Sequence, residues 1–206
     1  GGLDEALLAD VDYVVASPGV SLQDPFFVTA RGLGLPVIGD IELFARSGAR
    51  PVAGITGTNG KSTVTTLVAE MARAGGIDAR AGGNLGPPAL DLLEGSAAGL
   101  YVLELSSYQL ETTGSLELAA AVVLNVTPDH LDRYADLGGY ARAKASIYAR
   151  SAVAIVNLDD PMVAAMPRPG QRRLVRSGAA RDVAPREVQV AARVVQLGQL
   201  SLEALR

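Results

Sequence analysis

The chain has 206 residues, 49% of them hydrophobic, which suits one large or two small globular units with a sizeable core. With 18 Lys plus Arg against 22 Asp plus Glu, its net charge of -4 disfavours non-specific attraction to nucleic acid or anionic membrane, so any phosphate must be held locally. The absence of cysteine excludes disulfides, thiolate catalysis and cysteine metal sites, and the longest apolar run, Leu118 to Leu124, is far short of the ~18 to 20 residues that span a bilayer.

The chain begins at Gly1 without Met, in what reads as the middle of a domain. "VDYVVASPG" (Val11 to Gly19) is a short strand ending in a Ser-Pro-Gly turn. "DPFFVTARGLG" offers an Asp24 cap, Pro25 at the first helical position and a glycine stop, and "LPVIGD" is a second short strand. From Arg50 a stronger rhythm sets in: "PVAGIT" as a buried strand, a glycine-rich turn, and a helix from about Ser62 to Ala74. "LYVLEL", "AAAVVLNV" and "VAIVNL" follow as apolar runs without alternation, which predicts a parallel sheet with helices on both faces. A helix is expected from about Leu137. Beyond Asp160 the pattern breaks into Pro, Gly and Arg, and "EVQVAARVVQLGQLSLEAL" reads equally as a hairpin or a helix. The boundary between the two units falls near Glu42 to Arg50. No basic, apolar leader opens the sequence, so a cytoplasmic location without membrane insertion is expected.

Ligands of a doubly wound sheet sit beyond the carboxyl ends of its strands, which directs attention to the residues after each apolar run. The most informative is "GITGTNGKSTVTT". The strict loop G-x-x-x-x-G-K-[ST] wants glycine at the position held by Ile55, yet the backbone N–H groups of Gly57, Thr58, Asn59, Gly60 and Lys61 can still wrap phosphate oxygens before a helix N-terminus. Lys61 would neutralise charge, and the Ser62 or Thr63 hydroxyl can ligate Mg²⁺. Glu104 ends a buried strand, where a carboxylate is costly without a cation. His130, the only histidine, follows another strand, with Asp129 and Asp132 as candidates to orient it. Asn84 lies among glycines that let a ligand approach. Only Lys61 and Lys144 are lysines among the basic residues, which suggests tasks a guanidinium cannot perform.

Together, "TGTNGKST", "GGNLG", "LELSSYQLE", "NVTPDHLDRY", "AKASIY" and "VNLDD", in this order and spacing, resemble the Mur ligases of peptidoglycan synthesis, and most of all the branch that joins D-glutamate to UDP-N-acetylmuramoyl-L-alanine. The resemblance implies a P-loop-type, mostly parallel α/β sheet over residues 47–206, the ATP-binding middle domain. Residues 1–46, with "VASPGV" and "VIGDIELF", would be the C-terminal part of a Rossmann-like UDP-binding domain. The family's C-terminal domain, which contacts adenine and the incoming amino acid, has no counterpart, so a fragment of a longer protein, inactive by itself, is expected.

It further implies that Lys61 and the loop hold ATP, that Ser62 and Glu104 hold one Mg²⁺, and that His130 holds a second with Lys144 as its carbamate. Asn84, Ser106, Gln109 and His130 would line the muramoyl site, and Ser17, Pro18 and Gly19 would meet UDP. The protein is expected to act as a monomer on these small molecules. Two other readings remain open at this point: a ligase of the folylpolyglutamate synthase kind, and a nucleotide-binding module without catalysis. A GTPase is disfavoured because Asn157-Leu158-Asp159-Asp160 has Leu where the guanine motif needs Lys.

Overall fold

The computed structural model describes residues 3–130, 132–166 and 173–177. A small parallel pair, β1 (Val14–Val15) and β2 (Val37–Ile38), is connected through α1 (Pro25–Gly32). As expected, Asp24 caps α1 by accepting from the Phe26 N–H at 3.0 Å, and Pro25 opens the helix, where its missing donor costs nothing. Phe26, Phe27 and Ala30 close the small core of this part.

Helix α2 (Asp40–Arg46) leads into a six-stranded, wholly parallel sheet of β3 (Val52–Thr56), β4 (Ala79–Gly83), β5 (Leu100–Glu104), β6 (Ala120–Val123), β7 (Val153–Asn157) and β8 (Arg173–Ser177). Their spatial order is β4-β5-β3-β6-β7-β8. Every residue of β3, β5 and β6 is buried, as their unbroken apolar runs require of strands covered on both faces. On one face α3 (Lys61–Ala74) presents Val64, Val68, Ala69 and Ala72 to Ile55, Val102 and Val122. The other face is covered by α2, α4 (Ser107–Glu111) and α5 (Leu137–Ala145), and α6 (Pro161–Ala164) follows β7.

The division at residue 46 falls at the end of α2, but α2 itself packs with the larger sheet. Ile41 and Phe44 are fully buried in that core, and Phe44 meets Tyr101 edge-on at 5.4 Å between ring centroids. Glu42 accepts from Gly114 N–H at 2.8 Å and from Ser115 N–H and Oγ at 2.9 Å. Burial pushes its pKa up, but these bonds to the ionised form outweigh burial, and the carboxyl titrates below its ordinary range.

Strands β4 and β8 lie outside the sequence expectation because "ARAGG" and "RLVRS" lack an apolar run. In β4 the backbone decides. A Cβ on Gly83, whose φ is 110°, would collide with the Glu104 carbonyl oxygen, so glycine is what lets this strand lie so close to β5. The hairpin-or-helix expectation for 187–205 lies outside the described residues.

Candidate active site

Strand β3 lies between β5 and β6, with Ile55 in register with Glu104 and Thr56 with Val123, so the chain leaves β3 at a switch point of the sheet. The Gly57 to Gly60 loop starts there. Gly60 caps α3 with φ 80°, a left-handed turn that suits glycine, and the first-turn amides of Lys61, Ser62 and Thr63 have no intrahelical acceptor to satisfy them. This is the anion-ready helix start the sequence predicts. Thr63 is exposed, while Ser62 and Lys61 are half-buried.

The loop is held from across the sheet by Asn125. Its Oδ1 accepts from the N–H groups of Thr58 at 3.1 Å and Asn59 at 2.9 Å, and its Nδ2 donates to the Asn59 carbonyl at 3.0 Å. The Thr58 hydroxyl accepts from Thr127 N–H at 3.1 Å and lies 3.4 Å from the Tyr140 hydroxyl.

The two lysines meet this loop on consecutive carbonyls. Lys61 Nζ donates to Thr58 O at 3.0 Å, and Lys144 Nζ, from α5, donates to Gly57 O at 2.9 Å. Lys144 is only 1% exposed, with its ammonium 4.4 Å from the centre of the Tyr140 ring. Burial, reinforced by the charge of Lys61 and partly opposed by Asp129, lowers the Lys144 pKa from 10.5 to about 7. Roughly half of such amines are neutral and nucleophilic at pH 7, whereas an ordinary lysine is almost wholly charged.

Glu104 is 2% exposed at the end of β5. Its Oε1 accepts from Asn84 Nδ2 at 2.9 Å, and Asn84 N–H donates to the Glu104 carbonyl at the same distance. Its Oε2 is buried without a hydrogen-bond partner among the described residues, an arrangement that suits a cation. No group of three or more His, Asp or Glu able to hold a metal occurs among the described residues. A cation at Glu104 must therefore complete its shell with hydroxyls, ligand phosphates or water, as Mg²⁺ does.

His130 sits at a left-handed φ of 53°, with its Nε2 3.5 Å from Asp129 Oδ2 and its ring centroid 5.0 Å from that of Tyr108 and 5.9 Å from that of Tyr140. Of the two acids considered from sequence, Asp129 is the one beside the imidazole. Asp132 instead lines a cavity of about 720 Å³ between the first part of the chain and α4, with Gly19, Arg31 and Arg133. Arg133 crosses that seam, donating to Val20 O at 3.2 Å and to Glu111 at 2.9 Å while stacking 4.1 Å over the Tyr108 ring. Ser17, Pro18 and Gly19 form the turn after β1, closed by the Val20 N–H to Ser17 O bond.

Ser106 and Gln109 are brought together as a capping box on α4: each side-chain oxygen accepts the other's backbone N–H at 3.1 Å. Gln109 Nε2 donates to Asp40 Oδ2 at 3.0 Å, which leaves Gln109 a single amide hydrogen for any ligand.

Asn125, Tyr140 and Asp40 were given no role from sequence, although Asn125 opens the Asn125 to His130 stretch at the ligand edge of the sheet. Asn125 directly follows a predicted strand, and Tyr140 precedes Lys144 by four on one helix, so both carried a positional signal. Asp40 carried none.

A family model described as "Mur ligase middle domain" matches residues 55–196, more than half of the chain. The chain belongs to the Mur ligase family. A relative from Nitrosococcus oceani named UDP-N-acetylmuramoylalanine--D-glutamate ligase is 55% identical over 169 residues, which is 82% of this chain and 37% of that protein. One of the same name from Haemophilus influenzae is 54% identical over 162 residues, 79% of this chain and 37% of its own. The chain thus spans little more than a third of the length of these relatives. Among solved structures, the UDP-N-acetylmuramate:L-alanyl-gamma-D-glutamyl-meso-diaminopimelate ligase of Neisseria meningitides matches with a TM-score of 0.60 at 18% identity, over 97% of this chain and 77% of that one. A UDP-N-acetylmuramoyl-L-alanyl-D-glutamate--2,6-diaminopimelate ligase matches with 0.56 at 24%, over 89% and 49%. These likenesses establish the Mur ligase α/β fold. Among the described residues, no helix is long and apolar enough to cross a membrane.

Proposed function

We propose that this chain is the phosphoryl-transfer core of a cytoplasmic, monomeric ligase that joins D-glutamate to UDP-N-acetylmuramoyl-L-alanine at the expense of ATP. The observation that carries the reading is the placement of Lys61 and Lys144 on consecutive carbonyls of one glycine loop, beside a buried carboxylate with an unpaired oxygen. The names of the relatives supply the choice of substrates.

Lys61 and the amides opening α3 hold the β- and γ-phosphates of ATP. The muramoyl carboxylate attacks the γ-phosphorus, ADP leaves, and an acyl phosphate forms. The amine of D-glutamate adds to its carbonyl, loses a proton, and the tetrahedral intermediate expels phosphate to leave the amide. The first attack brings two anions together, so the positive charge that Lys61 supplies beside the phosphates is central. Ser62 with Glu104, and His130 with Lys144, would hold Mg²⁺, which would supply charge neutralisation between carboxylate and triphosphate. Lys144 becomes an oxygen ligand by adding its neutral amine to CO₂ and releasing a proton. Asn84 keeps Glu104 Oε1 oriented and, with Ser106, Gln109 and His130, faces the muramoyl group; Ser17, Pro18 and Gly19 face UDP.

In the full-length protein, ADP and phosphate release should require both the UDP-muramoyl substrate and D-glutamate. ATP turnover that proceeds equally without them would sink the ligase reading.

A further inference from the structure

The glycine loop offers fewer free amides than its sequence suggests. The N–H groups of Thr58 and Asn59 both point to Asn125, and Thr58 N–H is also 3.0 Å from the Asn125 carbonyl. Nδ2 of the same side chain returns a bond to Asn59 O, so one carboxamide grips Asn59 by its N–H and its carbonyl together and holds the Thr58 N–H beside it. Only Asn has this pairing at this length: Asp lacks the donor, and Gln would displace the group by a methylene.

Asn125 is itself fixed on both sides. The Leu124 N–H donates to Thr56 O at 2.9 Å, Asn157 Nδ2 donates to Leu124 O at 2.8 Å, and Asp160 Oδ2 accepts from Val126 N–H at 2.8 Å. The end of β7 thus holds the end of β6, which holds the loop after β3. Gly57 O and Thr58 O, the carbonyls that receive Lys144 and Lys61, belong to the two peptides whose N–H groups Asn125 accepts.

We infer that Asn125 is a positioning residue that presets the phosphate loop before nucleotide arrives, leaving the triphosphate to the amides that open α3 and setting the spacing of the two lysines. Preorganisation of this kind removes the ordering cost of binding. That the ligand is ATP rests on the function proposed above; the clamp does not.

The test uses the full-length protein and its Asn125→Ala and Asn125→Asp variants, with amide exchange resolved at Thr58 and Asn59 in the absence of nucleotide, binding of a fluorescent (mant) ATP, and KM for each substrate. In Asn125→Ala, exchange at the two amides should quicken and both the mant-ATP Kd and the KM for ATP rise by roughly tenfold, while KM for the other two substrates stays within about twofold. Asn125→Asp keeps both accepted bonds, so its two amides should stay slow to exchange. Unchanged exchange and ATP affinity in Asn125→Ala, or a loss spread evenly over all three substrates, would make Asn125 a strap of the scaffold only. If the alanine variant does not fold, fast exchange in Asn125→Asp overturns the inference. Wild-type protein that fails to bind mant-ATP would refute the ligase reading, and the exchange measurement would still decide the clamp.

Discussion

The two ends of the candidate site are built differently. At the glycine loop, Asn125, Thr127, Lys61 and Lys144 converge on the three residues Gly57, Thr58 and Asn59, and Lys144 is buried to 1% exposure. At the other end, the His130 side chain is 44% exposed and has Asp129 as its near charged neighbour. The first end is cross-braced by hydrogen bonds from the loop after β6 and from α5, the kind of support electrostatic catalysis requires of groups that must not reorganise during reaction. The second can adapt, and its geometry depends on one carboxylate and on aromatic neighbours.

The contrast can be tested at each end. Lys144→Ala should remove the amine proposed above to become an oxygen ligand and lower the ligation rate by roughly a thousandfold or more, beyond the usual worth of one oriented electrostatic group. Short carboxylic acids added to that variant should restore part of the rate, and full activity without them would take Lys144 out of the site. On the role proposed for His130, Asp129→Asn should lower activity by about 10- to 100-fold, the usual cost of losing a residue that orients a metal-binding histidine, and raise the Mg²⁺ concentration needed for half-maximal rate. A loss as deep as that of Lys144→Ala would mean that the His130 end is no more adaptable than the loop.

The smallest effect concerns stability. The Lys144 pKa is lowered from 10.5 to about 7 on folding, so between these values the unfolded chain binds the extra proton and this group makes the protein more stable as pH rises. Below about pH 7 the penalty of burying the charge is complete. Lys144→Met should therefore stabilise the full-length protein most at pH 6 to 7 and progressively less toward pH 10, in urea unfolding carried out free of CO₂. A difference independent of pH would mean that the lysine keeps its ordinary pKa in the fold.

Much of this was readable before folding. Three buried strands, the α1 cap and the start of α5 at Leu137 follow from local apolar runs and capping residues. The loop, Glu104, His130 and Lys144 were legible as chemistry-bearing residues at strand ends or as a lysine kept in an arginine-rich chain. Strand β4 was not, because its place depends on how closely Gly83 approaches β5, and that contact has no apolar signature. Gln109 was legible as a candidate, but its bond to Asp40, 69 residues away, was not.

The sequence by itself determined which residues could do chemistry and that they belong to a Mur ligase, because loop spacing, residue type and strand pattern are local properties. The tertiary structure decided what those residues are. Lys144 Nζ reaches the Gly57 carbonyl across 87 residues and the Asn125 carboxamide reaches Asn59 across 66. Only that convergence removes water from the amine and fixes the loop. A pKa and a preset loop are properties of surroundings, and the surroundings come from strands that are neighbours in the sheet but distant in the chain.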